Sequence, residues 1–524
     1  MKKKQPIFFL MNSIDLVRGG LTRASLNQAS TFAEMGYEVQ MITFNYNLNY
    51  PKIREKLIKM GKVNPNVVIR NLYEELEGDN DTLSTSSSIL KKTILSELTN
   101  EETADKREGH NAYRVYENGL YTRYISFDGK DRLQLIDYFN ENRYRTKRVE
   151  YDTTGEIRKI SYMDFLENKA RQIILYNQDG KAYLSQWNNP KNAKIQRINL
   201  FNTSTGEIER VYTSGSTIFK KDWLEDILVN MDEPIVISDT RSTDDVLAKL
   251  NPELATKIWR LHSSHVNYPF DVNGEITSKV KTGIANLNNY DGAFVLTNEQ
   301  KEDLVNRYGK DQFFHVVPHY HEDNNKKGIK GLFTNTSTNP KLAVIVSRLS
   351  TLKRVDHSIK AFKTVVEHVP DAKLEIWGTG TEDEKLASLI NELNLSNNVE
   401  LKGYTHKPDE IYQKALFSIL TSKSEGFALS VLESMVNKTP VVSYNIKYGP
   451  SDLIQDNVTG KLVEDKDIDS LAQEMIYLFE NPEEAKELGV KGSDYINRNF
   501  NKELYKEKFI SSIEKAEQYK KSEK

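Results

Sequence analysis

Cysteine is missing from this chain of 524 residues. Its absence excludes disulfides, zinc sites built on thiolates and thiolate catalysis. Long apolar runs are missing too, since no stretch approaches the roughly 18 apolar residues of a membrane-spanning helix. The apolar segment from Pro6 to Met11 is shorter than the roughly 7–15 residues of a signal-peptide core. We therefore expect a cytoplasmic protein, with any contact to the inner face of the cell membrane peripheral.

Neither sign of charge is in large excess, because 72 basic residues face 75 acidic ones and the formal net charge is −3. This balance argues against a general nucleic-acid binder, so no nucleic-acid partner is expected. Hydrophobic residues make up 38% of the chain and charged residues 28%. These proportions exclude a membrane-embedded protein, a collagen-like fibre and a wholly disordered chain. At about 150 residues per domain, the length predicts three to four domains.

Two regions alternate predicted strands and helices in the α/β pattern of doubly wound domains. The first begins with a strand at 7–11, the pair Gly19-Gly20, a helix over 21–35 and a strand at 38–44. Its pattern resumes after about residue 219. A polar linker at 322–340 precedes a second complete run, whose predicted strands are 342–346, 373–377, 399–402, 416–420 and 440–443. We predict two Rossmann-like domains.

A third region, between about residues 111 and 215, is β-like. Tyr151, Tyr176 and Phe201 each begin a segment made of an aromatic residue, an Asx residue and a glycine turn. The three segments start 25 residues apart, because 176 − 151 and 201 − 176 are both 25. Such a period is typical of stacked hairpins. It predicts an inserted β-sheet domain, preceded by a helical or mobile connector at 74–105.

The strongest functional signal is a predicted strand-to-helix turn at residues 424–435. Backbone N–H groups from Ala428 to Ser430 open the helix after Gly426, which is a favourable position for a phosphate. Ligands bind outside the carboxyl ends of such strands. Glu425 in the loop is placed to bind sugar hydroxyls, and Glu433 one turn inside to bind a diol such as ribose. The alternative is a pair of solvent-facing glutamates.

A second signal is a loop with two cations five residues apart, Arg348 and Lys353, directly after the predicted strand 342–346. Arginine binds phosphate as a fork and lysine as a point charge, so the pair suits a diphosphate. Basic residues at a solvated helix start are the alternative. We refer to the strand-to-helix turn at 424–435 as the glutamate turn. Both it and this loop lie in the second α/β run, and both suit an anionic nucleotide.

Two weaker signals lie in the first α/β region. The pair Gly19-Gly20 lets the backbone approach a phosphate or sugar, but it lacks the G-x-G-x-x-G of a dinucleotide site, and a flexible turn is the alternative. His262 and His265 follow the predicted strand 257–261, without a third metal ligand at a familiar spacing. We assign a packing role to His262, and to His265 a role beside a reacting sugar.

Together these motifs resemble the retaining GT-B glycosyltransferases of family 4, across both α/β regions. The segment Ile446-Lys447-Tyr448-Gly449-Pro450-Ser451-Asp452, the triplet Gly403-Tyr404-Thr405 and the β insert are further similar to wall-teichoic-acid α-glycosyltransferases of Gram-positive bacteria. That group includes poly(glycerol-phosphate) α-glucosyltransferases and poly(ribitol-phosphate) α-N-acetylglucosaminyltransferases. With this resemblance the match extends over nearly the whole chain.

The resemblance implies a GT-B fold, in which two Rossmann-like domains face a cleft and an all-β domain is inserted in the N-terminal one. It implies an N-terminal acceptor domain formed by 1–70 and 216–325. Residues 71–215 would form the connector and a β-sheet domain for oligomerisation or acceptor binding. Residues 326–500 would bind the UDP-sugar, and 501–524 would form a C-terminal helix.

By position, the resemblance assigns Arg348 and Lys353 to the pyrophosphate, Glu433 to the ribose and Glu425 to the donor sugar. Gly20 would let the N-terminal domain close on the donor, and His265 would lie beside the reacting carbon. The implied catalytic residues are His265, Glu425, Lys353 and Arg348. The implied substrate-binding residues are Gly19, Gly20, Arg348, Lys353, Tyr404, Thr405, Glu425, Phe427, Ala428, Leu429, Ser430 and Glu433. Ala428 stands where glycine is usual, and neither a metal nor a cofactor is expected.

The implied reaction is transfer of glucose or N-acetylglucosamine, with retention, from UDP-glucose or UDP-N-acetylglucosamine to hydroxyls of a polyanionic teichoic acid. Two candidate acceptor surfaces are a basic stripe, Arg143, Arg145, Lys147 and Arg148, and the segment 448–452. A solvated charged strand is the alternative for the stripe. The resemblance also implies a homo-oligomer, with a trimer favoured, formed through the β insert.

Two other functions stay open. The chain could O-glycosylate Ser/Thr-rich surface adhesins, because transferases of that kind also carry an extended β insert. It could also be a catalytically inactive GT-B subunit that chaperones a partner, although its intact Arg348, Lys353, Glu425 and Glu433 argue against this.

Overall fold

A computed structural model describes residues 4–16, 20–78, 88–270, 272–321 and 338–522 of the chain. It divides into two compact units, Met1–Ala255 and Thr256–Lys524. Within the described residues, no helix is both long enough and apolar enough to cross a membrane. The domain boundaries that the resemblance implies stay a prediction.

The first unit contains four parallel strands in the order β14-β1-β2-β3. These are β1 (Ile7–Met11), β2 (Val39–Thr43), β3 (Val67–Asn71) and β14 (Ile235–Ser238). Every residue of β1 is buried, as expected for an apolar strand inside a parallel sheet. The helices of this unit are α1 (Gly20–Glu34), α2 (Tyr50–Lys59), α3 (Leu72–Glu77), α4 (Lys91–Ser96), α5 (Thr217–Leu228) and α6 (Asp244–Lys249). Sequence analysis predicted no strand at β3.

The first unit also contains a ten-stranded antiparallel sheet, in which each strand pairs with the next along the chain. Its strands are β4 (Glu102–Lys106), β5 (Ala112–Glu117), β6 (Leu120–Phe127), β7 (Leu133–Phe139), β8 (Arg145–Tyr151), β9 (Ile157–Met163), β10 (Ala170–Tyr176), β11 (Ala182–Asn188), β12 (Ile195–Phe201) and β13 (Ile208–Tyr212). The sheet begins at Glu102, inside the predicted connector, which also contains α4.

The 25-residue repeat corresponds to successive hairpins of this sheet. Tyr151, Tyr176 and Phe201 are the last residues of β8, β10 and β12. The Asx residue that follows each of them accepts backbone N–H groups of its own turn; Asn177 Oδ1, for example, accepts from Asp179 and Lys181 at 3.1 and 2.9 Å. The predicted hairpin repeat is therefore confirmed.

The second unit begins with three parallel strands, β15 (Thr256–Arg260), β16 (Gly292–Val295) and β17 (Phe314–Val316). Helices α7 (Lys281–Ala285) and α8 (Asn298–Tyr308) lie between them in the chain. The C-terminal helix α16 (Lys502–Ser522) packs on these strands, with the rings of Phe294 and Phe509 centred 5.5 Å apart. A Cβ at Gly292 would lie 2.9 Å from the Cβ of Ala516, so the absent side chain permits this close packing.

The rest of the second unit is a six-stranded parallel sheet in the order β20-β19-β18-β21-β22-β23. Its strands are β18 (Asn339–Val346), β19 (Lys373–Trp377), β20 (Val399–Gly403), β21 (Ala415–Leu420), β22 (Val441–Asn445) and β23 (Lys461–Glu464). Its helices are α9 (Val355–His368), α10 (Asp383–Glu392), α11 (Pro408–Tyr412), α12 (Leu429–Val436), α13 (Pro450–Leu453), α14 (Ile468–Glu480) and α15 (Pro482–Asn499). All strands were predicted except β23.

The strand order of this second sheet reverses at β18, which has β19 on one side and β21 on the other. Ligands of doubly wound folds bind at such a switch point, outside the carboxyl ends of the strands. The loops after β18 and β21 carry Lys353 and Glu425, respectively. The topology therefore brings the two strongest sequence signals together.

Candidate active site

Lys353 and Glu425 form an ion pair at the switch point. Lys353 Nζ donates to Glu425 Oε1 at 2.5 Å, and the Ser422 hydroxyl donates to the same oxygen at 2.6 Å. The two charged side chains are only 16% and 13% exposed. A carboxylate held in this way has a fixed orientation, and its ammonium partner is placed to attract a second anion.

A small cavity lies beside Lys353 of this ion pair. Its lining includes Ser347 and Lys353 from the loop after β18, Ser422 from the loop after β21, and Ser430 in the first turn of α12. Helix α12 begins at Leu429, so its N–H groups without intrahelical partners lie at the same end of the sheet. A cation and a helix N-terminus together favour a phosphate group.

The loop carrying Arg348 is supported by a glycine turn that sequence analysis missed. The N–H of Leu349 donates to Thr379 O at 3.1 Å, and a Cβ at Gly378 would overlap the carbonyl oxygen of Ser347. Gly378 also has φ +139°, which side chains strongly disfavour. The signal available in the sequence was the run Gly378-Thr379-Gly380 directly after the strand that ends at Trp377. Arg348 itself is exposed.

Arg354 is the cation of this loop that sequence analysis left without a role. It is buried, and its guanidinium donates to Thr421 O at 2.9 Å and Ser422 O at 2.6 Å. The same group pairs with Asp465 and lies 5.2 Å from the ring centre of Tyr444. It thereby connects the ends of β21, β22 and β23 to the Lys353 loop.

The other predicted donor-site residues differ in what they can offer a ligand. Glu433 and Leu429 are half-buried on α12, whereas Tyr404 is 55% exposed after β20 and is followed by half-buried Thr405.

Phe427 is buried against the rings of His319 and Phe500, with ring centres 5.7 and 5.6 Å away. Ala428 is buried too, so Phe427 and Ala428 present mainly backbone atoms. Gly19 lies outside the described residues, and Gly20 is the first residue of α1.

Ala428 has a left-handed backbone conformation, with φ +60° and ψ +61°, directly before α12. This conformation costs a residue with a Cβ about 1–2 kcal/mol, whereas glycine adopts it freely at an entropic cost of about 0.5–1 kcal/mol. We therefore expect Ala428→Gly to stabilise the protein by about 0.5–1 kcal/mol in denaturant unfolding. Ala361→Gly, inside helix α9, is the control and should destabilise it. Equal losses in both variants would contradict this account.

His262 and His265 follow β15 and have different environments. A Cβ at Gly426 would overlap the carbonyl oxygen of His262, so the backbone there touches the glutamate turn. The His262 ring stacks on His319 with centres 5.5 Å apart, in keeping with a packing role. His265 is completely buried, and burial lowers its pKa to about 4, so its ring is neutral at pH 7. In this conformation its ring has no surface for a sugar to touch.

A network behind His265 was not found by sequence analysis. Tyr448 donates its hydroxyl proton to Asp303 Oδ2 at 2.7 Å, and Lys447 Nζ donates to the same oxygen at 2.7 Å. The Tyr448 oxygen therefore accepts from His265 Nδ1, 3.5 Å away, which puts the imidazole proton on Nδ1. Nε2 is left as an acceptor, with no partner among the described residues. The contributing residues are too far apart in the chain for spacing to reveal them.

The same network touches the glutamate turn through the backbone. The N–H of Glu425 donates to Lys447 O, and the N–H of Tyr448 donates to Glu425 O, both at 3.2 Å. The segment 446–452 thus lies beside Glu425. That its part 448–452 contacts the acceptor stays a prediction.

Asp452, in the same segment, provides a test of the site's electrostatics. Burial, with the nearby charges of Glu299 and Glu302, raises its pKa to about 6 from its ordinary value of 3.8. A carboxyl that binds its proton more tightly when folded contributes stability at low pH, and that stability is lost as pH rises towards 6. We expect Asp452→Asn to raise stability by about 1 kcal/mol near pH 7.5, after allowance for partial exposure.

The gain from Asp452→Asn should disappear towards pH 4, because the folded wild-type protein then carries the proton at no cost. Thermal unfolding at both pH values, with the exposed Asp494→Asn on α15 as a control, checks this expectation. An equal gain at both pH values would contradict it.

The basic stripe of the antiparallel sheet is partly neutralised. Arg145 and Arg148 both donate to Asp137, whose side chain is only 5% exposed. Arg143 and Lys147 instead lie over the rings of Tyr121 and Tyr138, at 5.6 and 4.3 Å. Two of the four cations thus support the sheet. Among the described residues, no group of three or more His, Asp or Glu side chains is arranged to hold a metal ion.

Comparison with known proteins identifies the second α/β run. The family model for glycosyl transferases group 1 matches residues 333–494. Poly(ribitol-phosphate) alpha-N-acetylglucosaminyltransferase of Staphylococcus aureus (strain COL) is 28% identical over 519 residues, covering 98% of this chain and 99% of the relative. Poly(glycerol-phosphate) alpha-glucosyltransferase of Bacillus subtilis (strain 168) is 28% identical over 488 residues, covering 90% of this chain and 70% of the relative.

A solved structure agrees with these sequence relatives. A mutant of S. aureus TarM, in complex with fondaparinux, alpha-GlcNAc-glycerol and UDP, has a TM-score of 0.84 and 26% identity, covering 97% of this chain and 99% of that one. The resemblance stated from the sequence is confirmed. The chain has the GT-B fold and is a glycosyltransferase whose residues 333–494 match the family model for glycosyl transferases group 1.

Proposed function

We propose that the chain transfers glucose or N-acetylglucosamine from a UDP-sugar, with retention, to hydroxyls of a poly(polyol-phosphate) such as wall teichoic acid. The names of the two relatives that match 98% and 90% of this chain support this donor and acceptor chemistry. The observation that carries the proposal is the Lys353–Glu425 pair, which lies beside the start of α12 at the switch point of the sheet. A sugar-binding carboxylate next to a diphosphate-binding cation is what a nucleotide-sugar site requires.

In the proposed complex, Lys353 contacts both Glu425 and the donor diphosphate. Exposed Arg348 binds a second phosphate oxygen as a fork, and the N–H groups at the start of α12 complete the cradle. Glu433 binds the ribose, and Tyr404 and Thr405 lie at the rim of the nucleotide site. The leaving UDP gains negative charge as its bond to the sugar breaks, and prearranged donors stabilise that charge. No divalent ion is required for this step.

The proposed reaction proceeds on one face of the sugar. The bond between the anomeric carbon and the UDP oxygen breaks, and a bond to the acceptor oxygen forms on the same side. The acceptor hydroxyl gives its proton to an oxygen of the departing UDP. Glu425 orients the sugar, and His265 offers Nε2 as an acceptor once the donor has displaced the groups that now cover its ring.

The proposal extends to the domains and the location of the protein. We propose that the chain divides into domains as the resemblance implies, and that the antiparallel sheet is an all-β domain inserted in the N-terminal one. We also propose a cytoplasmic location with peripheral contact to the membrane. Self-association, as a trimer, has a physical route at the last edge strand β13, where Ile208 is 52% and Val211 43% exposed. Unpaired edge strands with exposed apolar residues favour pairing with another chain.

The experiment tests each donor, UDP-glucose and UDP-N-acetylglucosamine, with each of three acceptors: purified poly(glycerol-phosphate), purified poly(ribitol-phosphate) and a serine-rich peptide. It measures UDP release and the linkage formed. We expect release only with a poly(polyol-phosphate), formation of an α-linkage, and full activity in EDTA. Release with the serine-rich peptide instead would favour adhesin glycosylation. An inactive protein under every condition would favour the chaperone subunit, and inhibition by EDTA would contradict the metal-free step.

A further inference from the structure

One row of side chains crosses the antiparallel sheet without an assigned role. Lys147 of β8 is paired with Tyr162 of β9, Tyr162 with Gln172 of β10, Gln172 with Trp187 of β11, and Trp187 with Arg197 of β12. Directly opposite residues in antiparallel strands share a face, so all five side chains lie on one face. We refer to Lys147, Tyr162, Gln172, Trp187 and Arg197 as the aromatic row.

The aromatic row is unusually exposed for its composition. Tyr162 is 41% and Trp187 is 40% exposed, whereas Trp223 and Trp259 are 8% and 0% exposed. Arg197 at one end is exposed, and Lys147 at the other is half-buried over the ring of Tyr138. Large aromatic rings in a cross-strand row stabilise a sheet when they are buried. Rings left half open instead offer an amphipathic surface to a ligand.

The charges of the aromatic row have one sign. It contains two cations, Lys147 and Arg197, and no carboxylate. The row therefore suits an anionic ligand and disfavours contact with an identical, equally cationic surface.

The spacing of the aromatic row suits a chain-like ligand. Strands lie about 4.8 Å apart, so Tyr162 and Trp187 are about 10 Å apart, and Lys147 and Arg197 about 19 Å apart. Two rings flanked by two cations would contact several repeats of a polymer in which phosphates alternate with polyols. The C–H surfaces of the polyols would pack on the rings, and the phosphates would pair with the cations.

We propose that the aromatic row is a second and non-catalytic site that binds a segment of the polyol-phosphate acceptor. This inference rests on the proposed function, because it takes the same polymer as ligand. The row belongs to the first unit, whereas Lys353 and Glu425 belong to the second. Such a site raises the effective concentration of acceptor hydroxyls for a long polymer and does nothing for a single repeat.

The test uses the full-length double variant Tyr162→Thr/Trp187→Thr, since threonine retains strand propensity. Transfer is measured with whichever long polymer the wild-type protein glycosylates, poly(glycerol-phosphate) or poly(ribitol-phosphate), and with a single repeat of that polymer. We expect KM for the long polymer to rise about tenfold at unchanged kcat, while both constants for the short acceptor stay within twofold. Tyr477→Ala, an exposed tyrosine on α14, is the control and should alter neither.

Two further measurements make the result decisive. Polymer binding by the wild-type protein should weaken with added salt, and Lys147→Gln/Arg197→Gln should show a shallower salt dependence. Light scattering gives the mass of each variant. A changed mass together with raised KM would make the row a subunit interface and overturn the proposal, as would an unchanged KM in the double variant. If the wild-type protein glycosylates neither poly(glycerol-phosphate) nor poly(ribitol-phosphate), the proposed function itself fails.

Discussion

Replacing Lys353 with methionine is expected to lower kcat/KM for UDP-sugar turnover by about 10²–10³-fold. The ammonium group is placed to meet the negative charge that develops on the leaving UDP, and loss of one prearranged donor at such a position costs about 2.7–4 kcal/mol. The loss should fall mainly on kcat, because the charge grows as the bond breaks. Steady-state UDP release at saturating acceptor measures it.

The substitution also leaves Glu425 without its cation, so its effect on folding must be separated from its effect on catalysis. The double variant Lys353→Met/Glu425→Gln removes the unpaired charge and should recover stability without recovering activity. Lys341→Met is the control, because Lys341 pairs at 3.2 Å with exposed Asp371 at the start of the same sheet. Recovery of turnover in the double variant would contradict the assignment of Lys353 to the diphosphate.

Local patterns in the sequence predicted much of the fold. The strand, turn and helix from Leu416 to Met435 are all present, because a buried apolar run, a glycine and an apolar helical face occur in that order. The 25-residue hairpin repeat was equally visible, because its Asx side chains satisfy their own turns. Short strands were harder: β3 and β23 carry polar or exposed residues that weaken the apolar pattern.

Tertiary relations account for what the sequence did not predict in the site. Arg354 is adjacent to Lys353, yet one side chain is buried among carbonyl groups and the other lines the cavity. Asp303 and Tyr448 meet across 145 residues of chain. Likewise, the stripe at 143–148 reads as free positive charge until buried Asp137, on the neighbouring strand, is seen to accept from two of its arginines. Patterns along the chain identify candidate groups, whereas burial and partners decide which of them face a ligand.

Gly426→Ala is expected to be the most damaging single-methyl change in the glutamate turn. The added Cβ would overlap the backbone carbonyl of His262, and no flexible side chain is available to move aside. Forced overpacking of this kind costs about 1–3 kcal/mol, and here it must shift either the Glu425 loop or the segment that leads to His265. Because a displacement of about 1 Å in a positioned group can cost roughly 10²-fold in rate, we expect kcat to fall at least that far.

Gly129→Ala provides the matched control, since a Cβ there meets no atom within 4 Å and the change is otherwise identical. It should leave turnover unaltered. Binding of UDP alone distinguishes local displacement from general unfolding. A displaced Glu425 loop weakens the contact to the sugar while Lys353 and the start of α12 still bind the diphosphate. UDP affinity in Gly426→Ala should therefore stay within about threefold of the wild-type value while turnover is lost. Wild-type turnover in Gly426→Ala would mean that the contact between the turn and His262 has no part in the reaction.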